Sequence, residues 1–86
     1  MTPSEGLSLY QYHGCPFCRQ VRDAAQSLGV ELELRDTLAD LDYARDVVQA
    51  TGRGTVPVLR IEEAGGEVRW LPESVDIIAY LQRRFG

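Results

Sequence analysis

The sequence predicts a single α/β domain in the order βαβαββα, with one four-stranded mixed sheet and helices on both of its faces. Three observations lead there. Two short stretches that alternate apolar and polar residues are each followed by a longer stretch of helical periodicity. Two further strand-like runs flank Ala64–Gly65–Gly66, a hairpin turn. The C-terminal segment then returns to helical spacing. With 86 residues the chain has room for one core. Residues 1–86 are therefore read as one domain, whose strand–helix–strand crossover should be right-handed.

Residues 7–12 (LSLYQY) alternate and predict the first strand. After the break at His13–Gly14, Phe17, Val21, Ala24, Ala25 and Leu28 recur at helical spacing and predict a helix over 16–28. Pro16 suits its first turn, where the N–H would be unpaired anyway. Gly29 is a natural stop, and Cys15 falls near the N-cap. Residues 31–35 (ELELR) alternate again. Leu38, Leu41, Ala44, Val47 and Val48 predict a second helix over 38–50, ended by Thr51–Gly52. The third strand, 56–61, opens beside Pro57, which cannot donate to a ladder. The fourth is 67–71, where Trp70 reads as sheet packing. The last helix, 74–84, is expected to bury Val75, Ile78, Leu81 and Phe85.

At 44% hydrophobic and 26% charged residues, the composition is that of an ordinary soluble globule. A net charge of −4 argues against nucleic acid, which rewards clustered basic residues. All nine basic residues are arginine, so any anion contact that a relative makes through lysine must here fall to an arginine. The polar start MTPSEG has no basic patch before an apolar run, so no signal peptide is visible. No apolar stretch reaches the roughly 18 residues of a membrane span. A cytoplasmic protein is expected, in a compartment where thiols are kept reduced.

Both cysteines lie in the stretch QYHGCPFCRQVR, two residues apart. They could be a redox pair, half of a metal site, or two small core residues. A tetrahedral zinc site wants four ligands, and His13 is the lone histidine, so no metal is expected. Redox chemistry suits the position better. At a helix N-terminus Cys15 meets about half a positive elementary charge and unpaired N–H groups, which favour the nucleophilic thiolate. Arg19 and Arg22 add positive potential. Cys18, one turn on and deeper, can attack a mixed disulfide on Cys15. Cys15 is thus the nucleophile and Cys18 the resolving thiol of a redox-active pair.

Three motifs then coincide: YxYxxCPFC at 10–18, TGRGTVP at 51–57 and LPESxDIxxYL at 71–81. With them the chain resembles a glutaredoxin of the thioredoxin-fold superfamily, of the branch related to the N-terminal domains of glutathione transferases. The resemblance implies a thioredoxin fold and a glutathione-dependent thiol–disulfide oxidoreductase. It would reduce protein disulfides and glutathione mixed disulfides, with glutathione as co-substrate. Disulfide-bonded or glutathionylated proteins would be its partners, and it is expected to act as a monomer. A non-catalytic iron–sulfur or glutathione-binding carrier, or the first domain of a transferase, are the alternatives.

Taken alone, Pro57 would be a trans strand opener; the resemblance implies a cis bond facing the CxxC. It also implies that the Val56 N–H and C=O pair with the cysteine residue of glutathione. Ser74 and Glu73 would take the γ-glutamyl carboxylate and ammonium, since a helix N-terminus is an anion site. Tyr12, Phe17, Thr55 and Pro57 complete the implied glutathione site with Cys15 and Arg53. Two departures stand out. Tyr12 occupies the place where many glutaredoxins carry a lysine; the transferase-related branch commonly has an aromatic residue there, which Tyr12 fits. The arginine of the usual TGxRTVP is one position earlier, at Arg53. Arg53 or Arg19 must then take the glycine carboxylate. His13 is expected in solvent.

Overall fold

Every residue of the first strand, β1 (Leu7–Gln11), is buried, although its sequence alternates like a strand with one wet face. The computed structural model, which describes residues 6–86, shows why. The sheet order is β2-β1-β3-β4, with β2 at Glu33–Asp36, β3 at Val58–Glu62 and β4 at Val68–Leu71. The strand β1 runs parallel to β2 and antiparallel to β3, and β3 is antiparallel to β4. A central strand covered on both faces must bury its polar positions too. Ser8 and Gln11 are accordingly buried, and Ser8 Oγ donates to Glu33 Oε2 at 3.1 Å.

The helices are α1 (Pro16–Ser27), α2 (Leu41–Thr51) and α3 (Ser74–Phe85). The larger core sets Leu7, Leu9, Leu59 and Ile61 of the sheet against Val21 and Ala25 of α1 and Ile77 and Leu81 of α3. On the other face Tyr10 and Val58 meet Val47 of α2, with Tyr43, Val56 and Trp70 packed around them. The predicted order, mixed sheet and two covered faces are those found, and the fold is the thioredoxin fold. Trp70 does pack in the sheet, its ring 5.3 Å from that of Tyr10. The Tyr10 hydroxyl accepts from Arg35 Nη1 at 2.7 Å and donates to Asp46 Oδ2 at 3.2 Å, tying α2 to β2 across the sheet.

Several expectations fail locally, for identifiable reasons. The helix predicted from residue 38 begins at Leu41. Asp36 Oδ1 accepts the N–H groups of Leu38 and Ala39 in a side-chain-closed turn, and Asp40 then caps the helix by accepting from Asp42 N at 2.9 Å. Leu38 and Leu41 are 74% and 72% exposed, so their helical spacing does not mark a core face. Leu81 is buried as expected, but Val75 is 76% exposed, because α3 turns Ile77 inward beside Leu81; Ile78 and Phe85 are half-buried. Phe17 is also exposed. The predicted strands slip by one to two residues: β2 ends later, and β3 opens after Pro57. No helix among the described residues is long and apolar enough to cross a membrane. The polar start discussed above lies outside the described residues as far as Glu5.

Candidate functional site

Pro16 at the first helical position and extended backbone at Cys15 (φ −85°, ψ 118°) start α1 so that Cys15 is its N-cap. The cysteine side chain caps the helix: its Sγ accepts from Cys18 N at 3.3 Å. Backbone bonds fix the turn, with Cys15 N–H donating to Tyr12 O and Arg19 N–H to Cys15 O. The sulfur therefore sits against the positive end of the helix. Both cysteines are free. Cys18 is fully buried on the inner side of α1. Burial pushes its thiol up to about 12, helped by the neighbouring Cys15 side chain.

Cys15 lines a groove of about 650 Å³. One wall is Tyr12, Pro16 and Phe17; a second is the loop from Arg53 through Thr55 and Val56 to Pro57; the third is Pro72 to Val75, the start of α3. The Val56–Pro57 peptide is cis, and the Val56 carbonyl lies 4.0 Å from Cys15 Sγ, within reach of its thiol proton. All residues nominated for the glutathione site except Arg19 thus meet in one groove, with Cys18 behind it. Pro16, Gly54, Pro72 and Val75 were not nominated. The first three adjoin nominated residues within the same motifs. Val75 was hidden by its apparent place on a buried helical face.

The charges are arranged less simply. Glu73, not Ser74, is the N-cap of α3, and it makes no side-chain capping bond. The helix therefore begins at the groove without a side chain over its first-turn N–H groups. Arg53 Nη2 lies 3.6 Å from Glu73 Oε1, an exposed ion pair between two walls of the groove. The Thr51 hydroxyl, accepting from Arg53 N at 3.3 Å, steadies the loop behind it. Arg19, the other candidate for a carboxylate, does not line the groove and pairs with Asp23 at 3.8 Å. His13 is exposed. Among the described residues no three His, Cys, Asp or Glu side chains converge as for a metal ion.

Over residues 9–86 the chain matches the family described as glutathione S-transferase, N-terminal domain. It is 30% identical over 80 residues to glutaredoxin 2 of Escherichia coli K12, which covers 93% of this chain and 34% of that protein. Among solved structures it is similar to glutaredoxin 2 of Salmonella typhimurium in complex with glutathione. There the TM-score is 0.75 at 30% identity, over 96% of this chain and 35% of the other. It is also similar to a trimeric glutathione transferase from Leishmania, with a TM-score of 0.78 at 29% identity, over 93% of this chain and 18% of that one. The chain spans about a third of the length of the curated relatives it matches.

Proposed function

The chain belongs to the glutathione S-transferase N-terminal domain family, and from that premise we propose that it is a glutathione-dependent thiol–disulfide oxidoreductase. It would be of the dithiol type, acting on protein disulfides and glutathione mixed disulfides. One observation carries this reading: Cys15 caps α1 inside the groove, and a second thiol, Cys18, stands one turn behind it. A glutathione-conjugating site has no use for that second thiol; a disulfide reductase does.

In the proposed cycle Cys15 attacks the glutathione sulfur of a mixed disulfide. A Cys15–glutathione disulfide forms and the protein thiol leaves. The Cys18 N–H and the helix end hold the attacking sulfur. The Val56 backbone pairs with the cysteine residue of glutathione in an extended, strand-like manner. The open start of α3, with Ser74, receives the γ-glutamyl carboxylate, and Glu73 receives the ammonium. Arg53 trades its Glu73 partner for a ligand carboxylate. Because it stands beside Glu73, that carboxylate is nearer the γ-glutamyl end than the glycine end. Tyr12, Phe17, Thr55 and Pro57 supply the walls. A second glutathione, or Cys18, then clears Cys15. We place this activity in the cytoplasm, in a monomer without a metal, with disulfide-bonded or glutathionylated proteins as partners.

The family match and the longer relatives favour a second reading, the first domain of a glutathione transferase. Two substitutions separate the readings in an assay with a small glutathione mixed disulfide, glutathione and glutathione reductase. Cys15→Ser should abolish turnover, since a hydroxyl neither ionises near neutral pH nor forms the mixed disulfide. Cys18→Ser should keep glutathione removal and lose most reduction of protein disulfides, accumulating a Cys15–glutathione adduct visible by mass. Absence of Cys15-dependent turnover, together with conjugation of a chlorinated aromatic electrophile, would transfer the assignment to the second reading.

A further inference from the structure

Gln11, the last residue of β1, is fully buried beneath α1. Its Oε1 accepts from Arg22 Nη1, while Arg22 Nη2 reaches the His13 carbonyl at 3.5 Å. A guanidinium only donates. The amide is therefore held in one orientation, oxygen toward Arg22 and NH₂ away from it. Among the described residues that NH₂ has no acceptor. Leaving a buried donor unpaired is costly, and nothing in the packing of a strand end asks for a carboxamide there. Arg22 follows Cys18 by one turn on the same side of α1, and its bond to Gln11 holds the guanidinium against the end of β1, from where its charge acts on the Cys18 thiol. The proposed function uses Cys18 but gives no role to this buried polar pair.

We propose that Arg22, anchored by Gln11, is the positioning residue for the resolving step, supplying the positive charge beside Cys18 that lets this buried thiol attack the disulfide on Cys15. The inference rests on the oxidoreductase reading and names the group that serves its second half. In that half Cys18 gives up its proton and its sulfur attacks Cys15 Sγ. The Cys15–Cys18 bond forms, and the bond from Cys15 to the bound thiol breaks. The departing sulfur takes the electron pair and a proton, so Cys18 is oxidised and the bound thiol reduced.

The electrostatics explain why such a charge is needed and when it acts. Burial does most to hold the Cys18 proton, and the Cys15 side chain and its negative charge add to it. The Tyr12 backbone and the Arg22 charge work in the opposite direction. The Cys15 contribution exists only while that sulfur is free. Once Cys15 carries a disulfide that contribution is gone, and the pull of Arg22 remains. Cys18 thus holds its proton less tightly once there is a disulfide to resolve. Among the described residues the charged or titratable groups acting on Cys18 are Cys15, the N-cap of α1, and Arg22 within it. The neighbouring strand β1 offers the neutral Gln11, and α3 buries Ile77 and Leu81.

The test uses Cys15→Ser, which removes the Cys15 charge as a disulfide would, and follows the alkylation rate of Cys18 against pH. Adding Arg22→Gln should raise the midpoint by about one pH unit, a roughly tenfold slower alkylation at fixed pH. Arg22→Lys should restore most of it, because charge and not the fork is what Cys18 requires. In the protein with both cysteines, Arg22→Gln should lower the ratio of protein-disulfide reduction to glutathione removal severalfold. An unchanged midpoint in a variant with wild-type circular dichroism overturns the proposal. So does an equal loss of both activities that Arg22→Lys fails to rescue. If the wild type turned over no disulfide while the Cys18 midpoint still followed Arg22, the oxidoreductase reading would fail and the charge pairing would stand. Should Arg22→Gln not fold, Gln11→Leu, which frees the guanidinium without removing its charge, should shift the midpoint in the same direction by less; no shift overturns the anchoring.

Discussion

Cys15 and Cys18 are chemically identical and three residues apart, yet one lines the groove and the other is sealed behind it. The sealed thiol leaves a thermodynamic trace. Burial pushes Cys18 from 9.0 to about 12, so the folded chain keeps a proton that the unfolded chain gives up. The associated stability is complete below about pH 9 and is lost as the pH climbs toward about 12. Tyr10, raised from 10.0 mainly by burial, acts in the same direction over the upper part of that window. The urea midpoint of the wild type should therefore fall between about pH 8 and about pH 10.5. Cys18→Ser should flatten the fall, leaving the share that belongs to Tyr10. Equal slopes in the two proteins would mean that Cys18 is not isolated from water as the structure has it. The placement of the two cysteines at the start of α1 was legible in CPFC, because spacing and a first-turn proline are local signals. The buried Gln11 and its guanidinium were not legible: an alternating strand gives no sign that both of its faces are covered.

At the level of elements, start and stop signals proved better guides than apolar spacing. Pro16, Gly29 and Gly52 mark helix limits where backbone sterics demand them, the two glycines at φ of 71° and 77°. The spacing of Leu38, Leu41 and Val48 suggested a packed face, but these three are exposed, and Val47 carries the burial of α2. The signals overlooked were Asp36 and Asp40, whose carboxylates take the N–H groups of the turn and of the first helical turn. The distinction is measurable. Asp40→Ala should destabilise the domain by about 1 kcal/mol, a fall in Tm of roughly 4–8 °C for a chain of this size. Leu41→Ser should stay within about 0.5 kcal/mol of wild type. A loss of about 2–5 kcal/mol at Leu41, as for a core leucine, would restore the packed face that the periodicity suggested.

Across the whole molecule, the groove is assembled from three stretches that the fold brings to one end of the sheet. The start of α1, the loop entering β3 and the start of α3 are far apart in the chain. Their motifs were visible one by one; that Arg53 and Glu73 would face each other at 3.6 Å was not, since tertiary proximity alone decides it. This pair ties ligand binding to a contact between distant segments. Exposed ion pairs contribute only about 0.2–1 kcal/mol, so a ligand bearing both a carboxylate and an ammonium can displace it at small cost and offer each side chain a new partner. Under the proposed function, Glu73→Gln should weaken glutathione binding to the oxidised protein by about three- to tenfold, the worth of one charged hydrogen bond less the ion pair no longer broken. Arg53→Gln should weaken it less, because it also frees Glu73 for the ammonium. An analogue acetylated on the γ-glutamyl nitrogen should bind wild type and Glu73→Gln alike. Calorimetric titration of the three proteins with both ligands separates these cases. If Glu73→Gln bound glutathione as tightly as wild type, the ammonium would have to be held elsewhere, and the third wall of the groove would lose its assigned part.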